Sequence, residues 1–371
     1  MKKRMIQSIL AILFLLFAGA GYSTAQDIKS VVKELFPILS STGNEDALAA
    51  KIEQSLPKNA AKEKDPMGNL YVRFGKGEPR LAVLAALDEF GYIVSGMTQD
   101  GYLRLDRAVQ PPHSQYDSYL LGHPVMISTS KGPLQGIVAQ PAMHLLTRER
   151  RDELAKNFSL DLVFLDIGAR SEEEARAKGV EILDAVTFWP DLSELANERW
   201  AGHALGLKTG CALLLNLAVE MSGMKLSREA SLGWMAQTKF PVRGSRSALG
   251  AMRAKKKLQP QKVLILDVVA ADRDEKSPAL GKGPVLVQAK EEASKLKDAI
   301  DTIAREKNIP LQYQTGVEST LMNPFLGDTT EVLTLALPVK FLNTPVEVVD
   351  FKDVRALKDL ILSVIGSGRA K

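Results

Sequence analysis

The sequence predicts an α/β fold: a mostly parallel sheet covered by helices, with a small β-barrel inserted into it. Three observations lead there. Continuous apolar runs at both ends of the chain have the length of strands buried on both faces. Helical patterns lie between and after them. The middle, from about 93 to 188, changes to short strand-like runs separated by turn signals.

Taken in order, residues 28–56 carry helical apolar spacing, broken by Ser41-Thr42-Gly43 into two helices. Leu70-Tyr71-Val72-Arg73-Phe74 alternates as a strand does. Leu81-Ala82-Val83-Leu84-Ala85-Ala86 is continuously apolar, as a parallel strand covered on both sides should be. In the middle stretch, Tyr102-Leu103-Arg104-Leu105, Val125-Met126-Ile127-Ser128 and Gly136-Ile137-Val138 read as short strands. Gln99-Asp100-Gly101, Pro111-Pro112 and Lys131-Gly132-Pro133 read as turns. Helical patterns follow at 210–221, 291–307 and 353–365. The apolar strands Val263-Leu264-Ile265-Leu266-Asp267 and Val332-Leu333-Thr334-Leu335-Ala336-Leu337 lie among them. The division expected is an α/β domain over 26–92 and 189–371, with a barrel over 93–188. The basic run Arg253, Lys255, Lys256 and Lys257 precedes a buried strand and reads as a solvated helix end.

The first 25 residues read as an export signal. Lys2, Lys3 and Arg4 form a basic start, residues 6–20 are apolar, and Ser23-Thr24-Ala25 offers the small residues that a signal peptidase cleaves after. The expected product begins at Gln26 and is periplasmic or secreted, with no membrane association; the alternative is an uncleaved N-terminal anchor. Of 48 basic residues, three belong to this segment, which leaves 45 against 44 acidic ones and a net charge of +1. That balance gives no reason to expect nucleic acid as a partner. Cys211 is the only cysteine, so no intrachain disulfide can form. It sits in Cys211-Ala212-Leu213-Leu214-Leu215 and reads as a packed core thiol.

One motif reads unusually. Leu84-Ala85-Ala86-Leu87-Asp88-Glu89-Phe90-Gly91-Tyr92 looks like the first metal-ligand segment of a two-metal aminopeptidase, yet Ala86 stands at its His position. Further segments extend the likeness: Asp65-Pro66-Met67-Gly68-Asn69-Leu70, Leu121-Gly122-His123-Pro124-Val125, Asp166-Ile167-Gly168-Ala169, Gly281-Lys282-Gly283-Pro284, and Thr344-Pro345-Val346-Glu347-Val348-Val349-Asp350. On these residues the chain resembles metallopeptidase family 42, the TET-type (glutamyl) aminopeptidases, over nearly all of residues 26–371. The resemblance implies a zinc-aminopeptidase-like fold whose inserted barrel serves dimerisation.

It also implies where a pair of divalent ions, zinc or cobalt, would be held: two His, two Asp and a Glu, with a neighbouring Glu as general base. Those positions fall on Ala86, Gly206, Asp267, Thr238 or Lys239, and Asn343, in a register anchored by Gln237 and by Arg243-Gly244. Of these, only Asp267 keeps a ligand side chain. Asp88 is present, but in the family that carboxylate orients the missing His. The expectation is therefore a dismantled centre with no catalytic residue, no metal ligand set and no cofactor. The remnant pocket comprises Asp88, Asp267, Lys239 and Lys208. Lys239 or Lys208 is expected to replace the ions by neutralising Asp88 and Asp267; the alternative has both lysines in solvent and the aspartates bonded locally.

No other catalytic pattern is evident. His113, His123, His144 and His203 are scattered, and there is no HExxH, GxSxG or P-loop. The functional expectation is an exported pseudopeptidase: a homo-oligomer built through the barrel, holding a peptide terminus against Asp88 or Asp267, or co-assembling with an active paralogue. The alternative is an active aminopeptidase with a non-standard pair of zinc or cobalt ions.

Overall fold

The structure is a computed structural model that describes residues 27–139, 142–149, 151–152, 158–240, 248–288, 294–316, 319–327 and 329–367. The export segment 1–25 and the Arg243-Gly244 pair lie outside the described residues.

Helices α1 (Ile28–Leu35) and α2 (Asp46–Ser55) open the fold, followed by β1 (Ala61–Lys64), β2 (Leu70–Phe74) and β3 (Leu81–Ala86). The barrel is built from β4 (Tyr92–Met97), β5 (Leu103–Arg107), β6 (Pro124–Thr129), β7 (Gly132–Ala139) and β8 (Phe164–Asp166), then the short helix α3 (Glu172–Ala177) and β9 (Ala185–Phe188). The chain then runs through β10 (Ser193–Leu195), β11 (Arg199–Gly202), α4 (Leu205–Met221), β12 (Ala230–Met235) and α5 (Leu249–Leu258). It closes with β13 (Lys262–Ala270), β14 (Val285–Gln288), α6 (Lys295–Glu306), β15 (Gln312–Thr315), β16 (Glu331–Val339), β17 (Glu347–Asp350) and α7 (Phe351–Gly366).

The large sheet has the order β1-β2-β12-β3-β13-β16-β14-β15. Its centre, β12-β3-β13-β16, is parallel throughout, and the antiparallel pairings lie outside it. The apolar runs in the sequence are these central strands. Leu266 is flanked by Ala85 on β3 and Leu335 on β16, so three strand ends meet in register at the carboxyl edge. A small antiparallel sheet, β10-β11-β17, stands beside it and was not foreseen from the sequence.

The first helical pattern after the barrel begins five residues earlier than its spacing suggested, at Leu205 rather than Gly210. Cys211, Ala212, Leu213, Leu214 and Leu217 of α4 are all fully buried because the helix runs through the core, and only Lys208, Thr209 and Asn216 bring polar groups into it. Burying each leucine contributes about 1.5–3 kcal/mol, which outweighs the lack of a side-chain cap at Ala204. In the second pattern, α6 begins after Ser294, whose hydroxyl accepts from Lys297 N. The first residues of the predicted stretch, 291–293, lie outside the described ones.

The barrel is closed in the order β4-β5-β8-β7-β6-β9. Alternate residues, among them Tyr92, Val94, Leu103, Leu105, Val125 and Ile127, fill its interior. Its strands run from Tyr92 to Phe188. Gly91 makes the entry possible. A Cβ there would lie 2.6 Å from Ser41 Cβ and 3.0 Å from the Val186 carbonyl, so no other residue passes between them without displacing backbone.

Candidate active site: an apolar cavity at the carboxyl edge of the sheet

A cavity of 610 Å³ opens where β3, β13 and β16 end, the edge at which open α/β sheets bind ligands. Strand ends supply Ala86, Leu266, Asp267, Val268 and Leu337. The start of α4 supplies His203, Gly206 and Leu207. Val109, Gln110 and Tyr116 come from the barrel side, and Leu342, Asn343, Thr344 and Glu347 from the loop before and into β17.

The positions singled out in the sequence are brought together only in part. Ala86, Gly206, Thr238, Lys239, Asp267 and Asn343 all line the cavity, whereas Asp88 and Lys208 do not. Asp88 is fully buried behind the wall, where four donors satisfy it. Thr238 N and Oγ1 donate to Oδ1 at 2.9 and 2.6 Å, and Thr42 Oγ1 and Lys239 N donate to Oδ2 at 2.9 and 3.0 Å. Asp267 accepts from Ser319 Oγ at 2.5 Å and from Val268 N at 2.9 Å.

These contacts correct the expected lysine substitution. Lys208 is 1% exposed and neutralises neither aspartate. Its ammonium lies 3.4 Å from Glu89 and donates to Ile38 O and Ser40 Oγ at 2.5 and 2.7 Å. The Lys239 ammonium instead sits 4.9 Å from the centre of the Phe90 ring. The physical reason is that neutral donors already hold both aspartates, four at Asp88 and two at Asp267. The solvent alternative fails as well for Lys208, while its second half, aspartates bonded locally, describes the site.

Two carboxylates that the sequence did not single out dominate the cavity. Glu347 Oε2 accepts from Gly206 N at 3.1 Å and Oε1 from Asn343 N at 3.0 Å. It thereby caps the first turn of α4, which has no cap of its own, and pins the loop before β17. Burial pushes its carboxyl up to about 7 in spite of those two N–H groups. Burial opposes ionisation of Glu89 too, but Lys208 and the Ser40 N–H at 2.8 Å outweigh it and hold the group below its ordinary value. His203 is buried, which lowers its pKa and keeps the imidazole neutral. Its Nε2 is 3.5 Å from Glu89 Oε2, outside hydrogen-bonding geometry. Burial, with the fields of Glu89 and Glu347, raises the Tyr116 hydroxyl well above 10.

The signal for this cluster was a lysine and a histidine bordering a run of leucines: a cation at Lys208 inside a core helix requires an anion nearby. At Asn343 the backbone is left-handed, with φ 62°, a conformation asparagine tolerates better than most residues. Gly206 is tightly enclosed. A Cβ there would fall 2.7 Å from Val268 Cγ1 and 2.9 Å from Val339 Cγ2.

The donor set does not fit a pair of divalent ions. A methyl group, a bare glycine, a hydroxyl, an ammonium and an amide line the cavity at Ala86, Gly206, Thr238, Lys239 and Asn343, and two ions held there would need imidazoles and carboxylates. Among the described residues, no group of three or more His, Cys, Asp or Glu side chains is placed to hold a metal ion.

A parallel-centred sheet with its cavity at the carboxyl edge and a closed barrel inserted after β3 define an aminopeptidase-like protein. The chain belongs to the M42 glutamyl aminopeptidase family, whose profile matches residues 68–360. It is 29% identical over 301 residues to lysyl aminopeptidase of Pyrococcus furiosus, covering 78% of this chain and 82% of that one. Pyrococcus horikoshii TET1 peptidase superposes with a TM-score of 0.78 at 25% identity, over 91% of this chain and 99% of that one. The fold is also that of a TET aminopeptidase from a marine sediment Thaumarchaeota archaeon, at a TM-score of 0.79 and 24% identity, over 91% and 96% of the two chains.

Proposed function

We propose that this chain is an exported, aminopeptidase-like pseudoenzyme that binds peptides in its cavity without hydrolysing them. The observation that carries the reading is the side-chain chemistry at Ala86, Gly206 and Asn343, three positions that offer a divalent ion no charged or imidazole ligand. A peptide ligand is carried over from kinship with peptidases. It cannot reach Asp88, which is walled off, so Asp267 is the remnant aspartate available to it. A second reading, an active aminopeptidase using zinc or cobalt at other ligands, is favoured by the similarity to a lysyl aminopeptidase.

Export rests on residues 1–25, and the protein is read as periplasmic or secreted. Among the described residues, no helix is long and apolar enough to cross a membrane. A homo-oligomer is inferred from Pyrococcus horikoshii TET1, which assembles into a tetrahedron or a large octahedral shell. We assign the contact to the barrel and allow an active paralogue as co-assembly partner.

The test is metal analysis of the purified protein beside a screen of aminoacyl substrates. The reading expects no stoichiometric zinc, cobalt or manganese, no released amino acid, and a melting temperature that chelator leaves unchanged. Two equivalents of tightly held metal with chelator-sensitive activity would overturn it. Intact-mass measurement should find Gln26 first, and light scattering should find at least a dimer at micromolar concentration.

A further inference from the structure

The polar groups on the cavity wall are unequally served. Each of its carboxylates already has donors: Glu89 has the Lys208 ammonium and Ser40 N, Asp267 has Ser319 Oγ and Val268 N, and Glu347 has Gly206 N and Asn343 N. Two donors on the same wall have no acceptor. The backbone of Lys239 is spent on Asp88, which fixes the chain there, while the side chain lines the cavity. Its ammonium lies 4.9 Å from the centre of the Phe90 ring and, among the described residues, within ion-pairing distance of no carboxylate. An ammonium has three N–H donors, and an aromatic face attracts the charge without accepting them as an oxygen would. The second donor is the Tyr116 hydroxyl. It keeps its proton far above neutral pH and, among the described residues, has no hydrogen-bond partner. Both groups are within the electrostatic reach of Glu347, so they border one part of the cavity. Burial holds the proton on Glu347 up to about 7, so in mildly acid solution that carboxyl does not repel an anion. The rest of the lining is largely hydrocarbon, with Leu266, Val268, Leu337 and Leu342 on the strand ends and the loop, and the volume of 610 Å³ is ample for a small ligand.

We propose that the cavity recognises a carboxylate bearing an apolar group, whose oxygens accept from the Lys239 ammonium and the Tyr116 hydroxyl while its hydrocarbon packs among Leu266, Val268 and Leu337. A hydrogen bond between two unlike partners, one of them charged at each end, is the strong kind, and the dry wall strengthens it further. Neither an amino group on the ligand nor a metal ion takes part. The same chemistry is offered by a free monocarboxylic acid and by the C-terminal end of a peptide whose last residue is bulky and apolar. The inference rests on the reading of this cavity as a peptide-binding site only for the second source.

The test uses the full chain at pH 6 and calorimetric titration with hexanoate, hexan-1-ol, hexylamine, N-acetyl-Gly-Gly-Leu and the C-terminal amide of that peptide, each with and without chelator. The expected result is hexanoate binding about tenfold tighter than hexan-1-ol, with hexylamine weakest and chelator without effect. Lys239→Met should bring hexanoate down to the affinity of hexan-1-ol, and retention of the alcohol shows that the cavity is intact. Tyr116→Phe should weaken hexanoate about threefold and leave the alcohol unchanged, and it decides the matter if Lys239→Met does not fold. N-acetyl-Gly-Gly-Leu tighter than both its amide and hexanoate assigns the peptide source; hexanoate tighter than the peptide assigns the free acid. Equal binding of the three hexyl probes, no binding of any, a preference for the amine, or an acid preference untouched by both substitutions would overturn the proposal. So would hexanoate binding that chelator abolishes, since the carboxylate would then be held by an ion. Release of free leucine from Leu-Gly-Gly would instead overturn the non-hydrolytic reading and leave carboxylate recognition standing.

Discussion

Gly206 and Glu347 are bonded backbone to side chain at 3.1 Å, and the Cβ that Gly206 lacks would lie 3.5 Å from the same carboxylate. The glutamate from the strand after the loop thus anchors the helix at Gly206, where the resemblance leads one to expect an aspartate ligand. Space and charge both speak against a carboxylate at residue 206.

Gly206→Asp should be destabilising, because Val268 and Val339 already fill the volume a side chain would take. Overpacking of this kind costs about 1–3 kcal/mol, before the repulsion from Glu347 is counted. Thermal melting should show a loss of several degrees. Restoring all five positions together (Ala86→His, Gly206→Asp, Thr238→Glu, Lys239→Glu, Asn343→His) should give zinc binding only when Val268→Ala is added. Stoichiometric zinc in the five-fold variant alone would contradict this.

Lys208→Met should strand Glu89 without its cation in the core. Breaking a buried pair from one side costs about 3–5 kcal/mol. Adding Glu89→Gln should recover much of that loss, so a double-mutant cycle in urea should give a large favourable coupling between the two residues. Additive losses would show that Ile38 O and Ser40, rather than Glu89, are what Lys208 serves.

The raised carboxyl of Glu347 gives stability a definite pH dependence. Its folded value, about 7, lies above its ordinary 4.5, so the native state holds the proton more tightly than the unfolded chain does. The stabilisation is fully present below pH 4.5 and is lost as pH rises through 7, on the order of 3 kcal/mol. Comparing urea midpoints at pH 5 and pH 8, the natural chain should lose more stability than Glu347→Gln. Parallel losses in the two proteins would show that other groups carry the dependence.

Burial pushes the Cys211 thiol up to about 12, and its Sγ donates to the Ala86 carbonyl at 3.1 Å. Modification by a maleimide should therefore be slow in the native protein and should track global unfolding in urea. Rapid labelling without denaturant would mean that α4 opens locally.

The framework could be read from the chain because buried parallel strands leave an unmistakable trace. Leu81 to Ala86 is apolar at every position and Val332 to Leu337 at all but Thr334, as strands covered on both faces are. That Ala86 and Asn343 belong to the cavity could be read too, since they sit inside recognisable segments. What Glu347 does could not. Its neighbours in sequence say only that a strand is near: Asn343, four residues upstream, donates one N–H, but its burial and its other donor, Gly206 N of α4, come from across the fold. The pairing of Lys208 with Glu89 was hidden for the same reason: 119 positions separate them, and Asp88, one residue away, was the more conspicuous acid.

The two crossings into the barrel have a mechanical meaning. The chain leaves the sheet beside Glu89, threads Gly91 past Ser41, and returns at Phe188, whose ring lies 4.8 Å from the His203 ring. The barrel is thus clamped to the pocket at both of its ends, like a lever with its fulcrum on the imidazole. A load on the barrel would therefore be carried through these crossings to Glu89 and His203, which line the cavity.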